Sequence, residues 1–359
     1  MLKLLDLYLL KRFTLRILFL IVALSAVILI TNLVEMIDNF VDANMSSNEI
    51  FNYYILTLPM IISYAIPMSI TLSTVLSLVA YIKNNELLAL RALGINYFRL
   101  SSSIIITSIF ISFFHFYFEN SIVSNSTRLK NKIVRTYNLD KKNHKKTKTN
   151  FIEDLEKNKS IYILNYNNKN KTANKIVIKE INDDNKVIRR LDSDLMKWNG
   201  EKWTFGELLI REWLDNNETF RISKDTSIFL GDINPIYLTS EFIEPEEMNY
   251  FELDKFIEIK EKNAGNTTKW KVGLYHKIAY SFSSLFLCIT AITFTLLIKN
   301  SNVSYGIGLS LLIITLYYVL LIIGKNFGIE GIISPWISAW LPNLSMMIIS
   351  IFSFKKFIF

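Results

Sequence analysis

The chain has 359 residues, 51 % of them hydrophobic, a mean hydropathy of +0.27 and a formal net charge of +8. So apolar a composition excludes a disordered or collagen-like chain, and a lone cysteine, Cys288, excludes a disulfide-built scaffold. The charge does not point to nucleic acid, because residues 119–271 hold 28 basic against 25 acidic residues and the excess lies in short segments between apolar runs.

Three apolar runs open the chain, at residues 13–34, 55–82 and 100–118, and three close it, at 272–298, 303–323 and 337–354. Each has about 18 or more residues, enough at 1.5 Å per residue to cross roughly 30 Å of hydrocarbon. The pattern predicts a polytopic α-helical membrane protein with six transmembrane helices in a three-plus-three arrangement: one bundle at residues 1–118, another at 272–359, and an inserted domain at 119–271. The first run is too long for a signal-peptide core and no small-x-small site follows it, so it reads as a retained anchor.

Lys3, Lys11, Arg12, Arg16, Lys83, Arg91, Arg99, Lys299, Lys355 and Lys356 fall on one side of such a chain, with Lys277 and Lys325 on the other. The positive-inside rule makes the first side cytoplasmic. Both termini are then expected in the cytoplasm and the inserted domain on the opposite side of the membrane.

The loop at residues 83–97 (KNNELLALRALGINY) predicts a short helix over 84–94. Asn84 or Asn85 can cap it, Glu86 lies in its first turn where the dipole favours an anion, and Gly94 is placed to end it. Leu87, Leu88, Leu90 and Leu93 make it too apolar to stand free in water. It is expected either in the headgroup region or in a groove of a cytoplasmic partner, with Glu86 and Arg91 as polar contacts.

The inserted domain reads as all-β. Residues 160–164 (SIYIL), 175–181 (KIVIKEI) and 202–213 (KWTFGELLIREW) are short β-branched or aromatic runs, with turns expected at 167–174, 182–186 and 198–201. Repeats of this kind predict a sandwich, jelly roll or related open barrel. Residues 140–150 (DKKNHKKTKTN) read as a solvated basic loop, and 250–264 as a helix with Phe251, Phe256 and Ile259 at helical spacing.

No HExxH, Walker lysine loop, nucleophile elbow or CxxC occurs, so neither a catalytic site nor a metal site is expected. His115 and Glu119 share a helix face four residues apart; this spacing reads as an interfacial polar pair at the end of a span. The second run carries Pro59, Pro67, Ser63, Ser69, Thr71, Ser73, Thr74 and Ser77, a composition that suits a helix packed against protein more than lipid.

The layout, the loop NELLALRALGI at 85–95, LYHKI at 274–278 and SPWISAWLPN at 334–343 together resemble the LptF/LptG permeases of lipopolysaccharide export. The likeness covers nearly the whole chain, and VEMIDNF at 34–40 is more similar to the LptG branch. The resemblance implies an ABC-type permease subunit without its own ATPase site. It would pair with a paralogous LptF-like permease, take energy from an LptB-like ATPase dimer, and pass lipopolysaccharide from the membrane lipids to an LptC-like protein and a periplasmic bridge. The inserted domain would be the family's jelly roll. No cofactor is expected on this chain, since ATP and magnesium would sit on the partner ATPase.

The loop helix becomes by this likeness a coupling helix, with Glu86, Leu87, Leu90, Arg91 and Gly94 as its contact residues. Spans one and five form the family's lateral gate, which implies a lipid path along Asn32, Glu35, Asp38, Lys277, Gly306, Gly308 and Ser310. Two positions depart from the LptG pattern: Glu35 stands where a lysine is common, and Ser281 where a proline often follows the basic residue of span four. The cationic contact to lipid phosphates then falls to Lys277, the paralogue or a divalent ion, or the exported lipid differs. The alternatives are the LptF-like role in the same complex, or a membrane scaffold or sensor that displays the β domain without transport.

Overall fold

The protein is described by a computed structural model covering residues 4–94, 97–137, 139, 148–156, 159–167, 170–182, 186–200, 202–214, 217–228, 244–262, 266–297 and 302–358. It forms two compact units: Met1–Leu139 with Pro245–Tyr250 and Thr268–Phe359, and Asp140–Glu244 with Phe251–Thr267.

The first unit is helical. It contains α1 (Leu4–Asp42), α2 (Ser47–Lys83), the short α3 (Glu86–Ala92), α4 (Tyr97–Phe118), a π turn (Glu119–Val123), α5 (Ser124–Tyr137) and a 3-10 turn (Pro245–Glu247). After α6 (Tyr250–Lys262), nearly all of which belongs to the second unit, come α7 (Thr268–Ser281), α8 (Ser283–Leu297), α9 (Val303–Ile329) and α10 (Pro335–Ile358). Among the described residues, five stretches are long and apolar enough to cross a membrane: Leu10–Asp42, Ser47–Lys83, Ser101–Tyr137, Val303–Ile329 and Pro335–Ser353. The sixth expected span is a pair, α7 and α8, which qualify only together and are bent by 47°.

At the centre lies α2, whose apolar window is 72 % buried against 17 % for α1. Three of its hydroxyls bond within the helix, Thr57, Thr71 and Thr74 donating to the carbonyls of Tyr53, Pro67 and Ile70 at 2.7, 2.8 and 2.7 Å, while Ser63 and Ser73 donate to Glu119 and to the Phe13 carbonyl on other elements. Such back-bonding satisfies those hydroxyls as the helix is buried, and the Ser63 carbonyl, which Pro67 leaves without its helical N–H, accepts from the Tyr280 hydroxyl at 3.4 Å. Phe13, Ile17, Ile66, Ile70, Leu78, Tyr81, Ile104, Cys288 and Ile292 form the core around it.

Two helix boundaries differ from the sequence reading. The third span does not end at Phe118; the helix carries on through the π turn into α5 within the helical unit, so the inserted unit begins later than residue 119. Residues 119–137 look soluble because α5 is amphipathic and uses its polar side on protein: Arg128 Nε donates to the Glu247 carbonyl at 3.1 Å, Asn131 Nδ2 to Glu247 Oε1 at 2.8 Å, and Arg135 pairs with the same carboxylate. The fourth span is not one rod. It breaks at Phe282, inside the run Ser281, Phe282, Ser283, Ser284, where the Ser281 hydroxyl donates to the Lys277 carbonyl at 2.7 Å and competes with the backbone ladder.

The second unit is built on β1 (Lys148–Glu156), β2 (Lys159–Asn167), β3 (Thr172–Ile181), β4 (Val187–Trp198), β5 (Trp203–Leu214) and β6 (Asn217–Ile228). All are antiparallel in one sheet, in chain order, so the described strands form a meander and no jelly-roll crossover occurs among them. Register pairs Ile161 with Ile178, Leu191 with Ile210 and Trp198 with Trp203. Alternation places Ile161, Ile163, Ile176, Ile178, Met196, Trp203 and Phe205 in one buried cluster. The three expected strands are present within β2, β3 and β5; of the expected turns, residues 168–169, 183–185 and 201 lie outside the described residues, and Thr172, Ala173 and Asn174 already belong to β3. Within the expected basic loop, Lys148, Thr149 and Asn150 belong to β1. Helix α6 is present; it buries Leu253 and Ile257, holds Phe256 and Ile259 half-buried and leaves Phe251 77 % exposed, so its buried face is rotated from the expected one.

Candidate functional site

Helix α3 is set by its flanks. Asn84 closes α2 by donating its backbone N–H to the Ala80 carbonyl at 3.0 Å, and Asn85, at φ 57°, turns the chain so that its carbonyl accepts from Ala89 N at 3.0 Å. Glu86 lies 3.8 Å from Arg12 of α1 and accepts from Asn84 Nδ2 at 3.3 Å. Leu87 is buried among Phe13, Ile17 and Tyr81, and Leu90 packs on the same cluster. Leu88 and Leu93 point away, 71 % and 77 % exposed. Gly94, at φ +80°, takes the left-handed conformation that favours glycine at a helix end. Arg91 lies in the helix, and its side chain falls outside the described residues. The short helix is thus anchored in the bundle on one side and presents two bare leucines on the other.

On α1, Asn32 is half-buried, while Glu35 and Asp38 are exposed beside the exposed Val34, Ile37 and Val41. On α9, Gly306 is pressed against α2, where an added Cβ would lie 3.0 Å from Val79 Cγ2; Ser310, one turn on, is buried and donates to the Gly306 carbonyl at 2.6 Å. Gly308 faces open space. Of the small residues expected to let helices approach, Gly306 and Ser310 do so and Gly308 does not. Sequence reading passed over two others: a Cβ on Gly324 would lie 2.7 Å from the Ser338 carbonyl, and one on Gly328 would overlap the Ser338 hydroxyl, which brings α9 and α10 into close contact.

Lys277 is not at an exposed interface. It is buried on α7, its Nζ donating to Ser124 Oγ at 3.2 Å. His115 and Glu119 likewise differ from the expected interfacial pair: His115 is fully buried, because Ser63 of α2 supplies a hydroxyl 2.9 Å from its Nε2 and donates to Glu119 Oε2 at 2.7 Å. Tyr280 joins them through the Ser63 carbonyl at 3.4 Å, and its hydroxyl lies 3.2 Å from that of Tyr318. The four-residue spacing of His115 and Glu119 was visible in the sequence. Their partner, 52 residues from His115, was not.

These features describe a bundle of membrane-length helices with a docked short loop helix, close-packed glycine contacts and an inserted antiparallel sheet. No curated protein matches the chain at a significant level. The profile of the family described as "Lipopolysaccharide export system permease LptF/LptG" matches residues 7–356, nearly its whole length, and the chain belongs to that family of lipopolysaccharide export permeases.

Proposed function

We propose that this chain is the LptG-like half of an ABC-type exporter that extracts lipopolysaccharide from the bacterial inner membrane. The observation that carries this reading is α3: Leu87 and Leu90 fasten it to the bundle core, and Leu88 and Leu93 offer an apolar contact to a partner. An LptB-like ATPase dimer binds ATP and magnesium, closes, and pushes on α3. Because Leu87 sits in the same cluster as Phe13 of α1 and Ile292 of α8, a push there reaches several helices as rigid-body motion.

The termini and α3 then face the cytoplasm, and the sheet unit lies in the periplasm, where it acts as the family's jelly roll does and hands lipid to an LptC-like protein and its bridge. The paralogous LptF-like permease completes the cavity. Helices α1 and α9 form its lateral gate, with Asn32, Glu35 and Asp38 on one and Gly306, Gly308 and Ser310 on the other; Lys277 acts from inside the bundle. Co-expression with an LptB-like ATPase tests the reading. A stable complex whose ATP-driven release of lipopolysaccharide from proteoliposomes is lost in L88D/L93D is the expected result; unchanged assembly and release in that variant would rule out α3 as the coupling element.

A further inference from the structure

We infer that Glu119, Ser63 and His115 form a proton-accepting site inside the helical unit, seated where α2, α4 and α7 meet. The Ser63 hydroxyl has one hydrogen and lies between two groups that can each hold a proton, Glu119 Oε2 at 2.7 Å and His115 Nε2 at 2.9 Å. When that hydrogen goes to an ionised Glu119, His115 must present Nε2–H to the Ser63 oxygen, and its Nδ1 carries the remaining lone pair. Nδ1 is buried, and beside Ser63 the ring meets the polar backbone of Ser281. One proton from water then has two places to go, the Glu119 carboxylate or His115 Nδ1, and no other bond need break.

Glu119 is less buried than His115, so it is the nearer of the two groups to the surface of the helical unit. Glu119 also opens the π turn, a feature often found at functional sites, and its carbonyl accepts from Ser124 Oγ at 2.9 Å. Ser124 in turn receives the Lys277 ammonium, so the backbone turn, the carboxylate's helix and the cation of α7 are joined through one hydroxyl. The charged and titratable groups around the site are Lys277, His276 and Tyr280 on α7, Tyr64 on α2, Tyr318 and Lys325 on α9, and Glu246 on the 3-10 turn. Tyr280 meets the His115 ring edge-on at 5.4 Å and stacks on His276 at 5.6 Å. A proton added at His115 places positive charge in a buried site that faces Lys277, which weakens the packing of α4 against α2 and α7.

The chain has three histidines, so ring-nitrogen NMR of the 15N-histidine-labelled full chain in nanodiscs resolves His115, assigned by its loss in H115Q. Across about pH 4 to 9 the His115 signal should titrate. In E119Q, which removes the neighbouring negative charge, the midpoint should move to lower pH by about one unit, a tenfold loss of proton affinity; in K277Q it should move to higher pH. The melting temperature of the wild-type chain should step at the same pH, and the step should vanish in H115Q. A His115 signal that stays constant over the range, or that shifts in the same direction in both charge variants, would overturn the proposal. If E119Q does not fold, K277Q alone decides by its direction.

Discussion

The ammonium of Lys325 on α9 lies 2.6 Å from Oε1 of Glu246 on the 3-10 turn, tying the chain's return from the inserted unit to a membrane helix. Burial works to raise the Glu246 carboxyl, but the charge and hydrogen bond of Lys325, its own backbone N–H and the nearby His276 prevail and hold it at about 2, below its ordinary 4.5. A carboxyl lowered on folding stabilises the native state above its unfolded value and loses that contribution as pH falls toward the folded one. The melting temperature of the full chain in detergent should therefore drop between about pH 4.5 and about pH 2 through this pair. E246Q should be less stable near neutral pH and show a shallower acid decline. An acid profile identical to wild type would exclude the pair as a contributor.

Leu87 and Leu88 are adjacent in sequence and opposite in role. Leu87→Ala should lower stability by about 2 kcal/mol through loss of core packing, with partner binding affected only in proportion to unfolding. Leu88→Asp should leave the melting temperature unchanged within about 0.5 kcal/mol and abolish co-purification with the ATPase. Thermal unfolding and pull-down on the same two samples separate the effects.

Close helix contact on α9 is selective by position. Gly328→Val would drive a side chain into the Ser338 hydroxyl and should cost about 1–3 kcal/mol, since overpacking displaces α10. Gly308→Ala meets open space and should be neutral or stabilising by up to about 1 kcal/mol from helix propensity alone. Equal losses in both variants would mean that α9 packs on a second partner at Gly308.

In the sheet, Tyr166 is buried beside Trp203, with ring centroids 6.5 Å apart, and its hydroxyl has no partner among the described residues. Burial pushes that phenol up to about 12. Tyr166→Phe should be neutral or mildly stabilising because it removes an unpaired polar atom, while Trp203→Ala should cost about 3–5 kcal/mol and unfold the sheet first. Urea titration followed by tryptophan fluorescence distinguishes the two.

The spans were legible because lipid-length apolar runs admit few other structures, and α3 was legible because its caps and its leucines lie within one loop. What escaped is what depends on distant partners. Residues 119–137 look soluble until Glu247, more than a hundred positions away, gives Arg128 and Asn131 something to hold. Lys277 looks like an outward charge until Ser124 is seen against it. The break at Phe282 was written in a serine run, yet the same hydroxyls lie back-bonded along an unbroken α2, so composition alone did not mark it. In the sheet, alternation identified the strands and their apolar face, and left the order of pairing open.

The meander has a kinetic corollary. Each strand pairs with the one just before it, so the inserted unit can fold hairpin by hairpin as it is synthesised. Helix α2 has no such luck: α8, which packs on it, starts at Ser283, some 200 residues after α2 ends at Lys83. At about 5–20 residues per second, that is a wait of roughly 10–40 s. During it, the face of α2 that carries Thr74, which meets Cys288 of α8 in the folded chain, has only lipid or a temporary companion. The helix can endure the interval because Thr57, Thr71 and Thr74 are already bonded to its own carbonyls before any neighbour arrives.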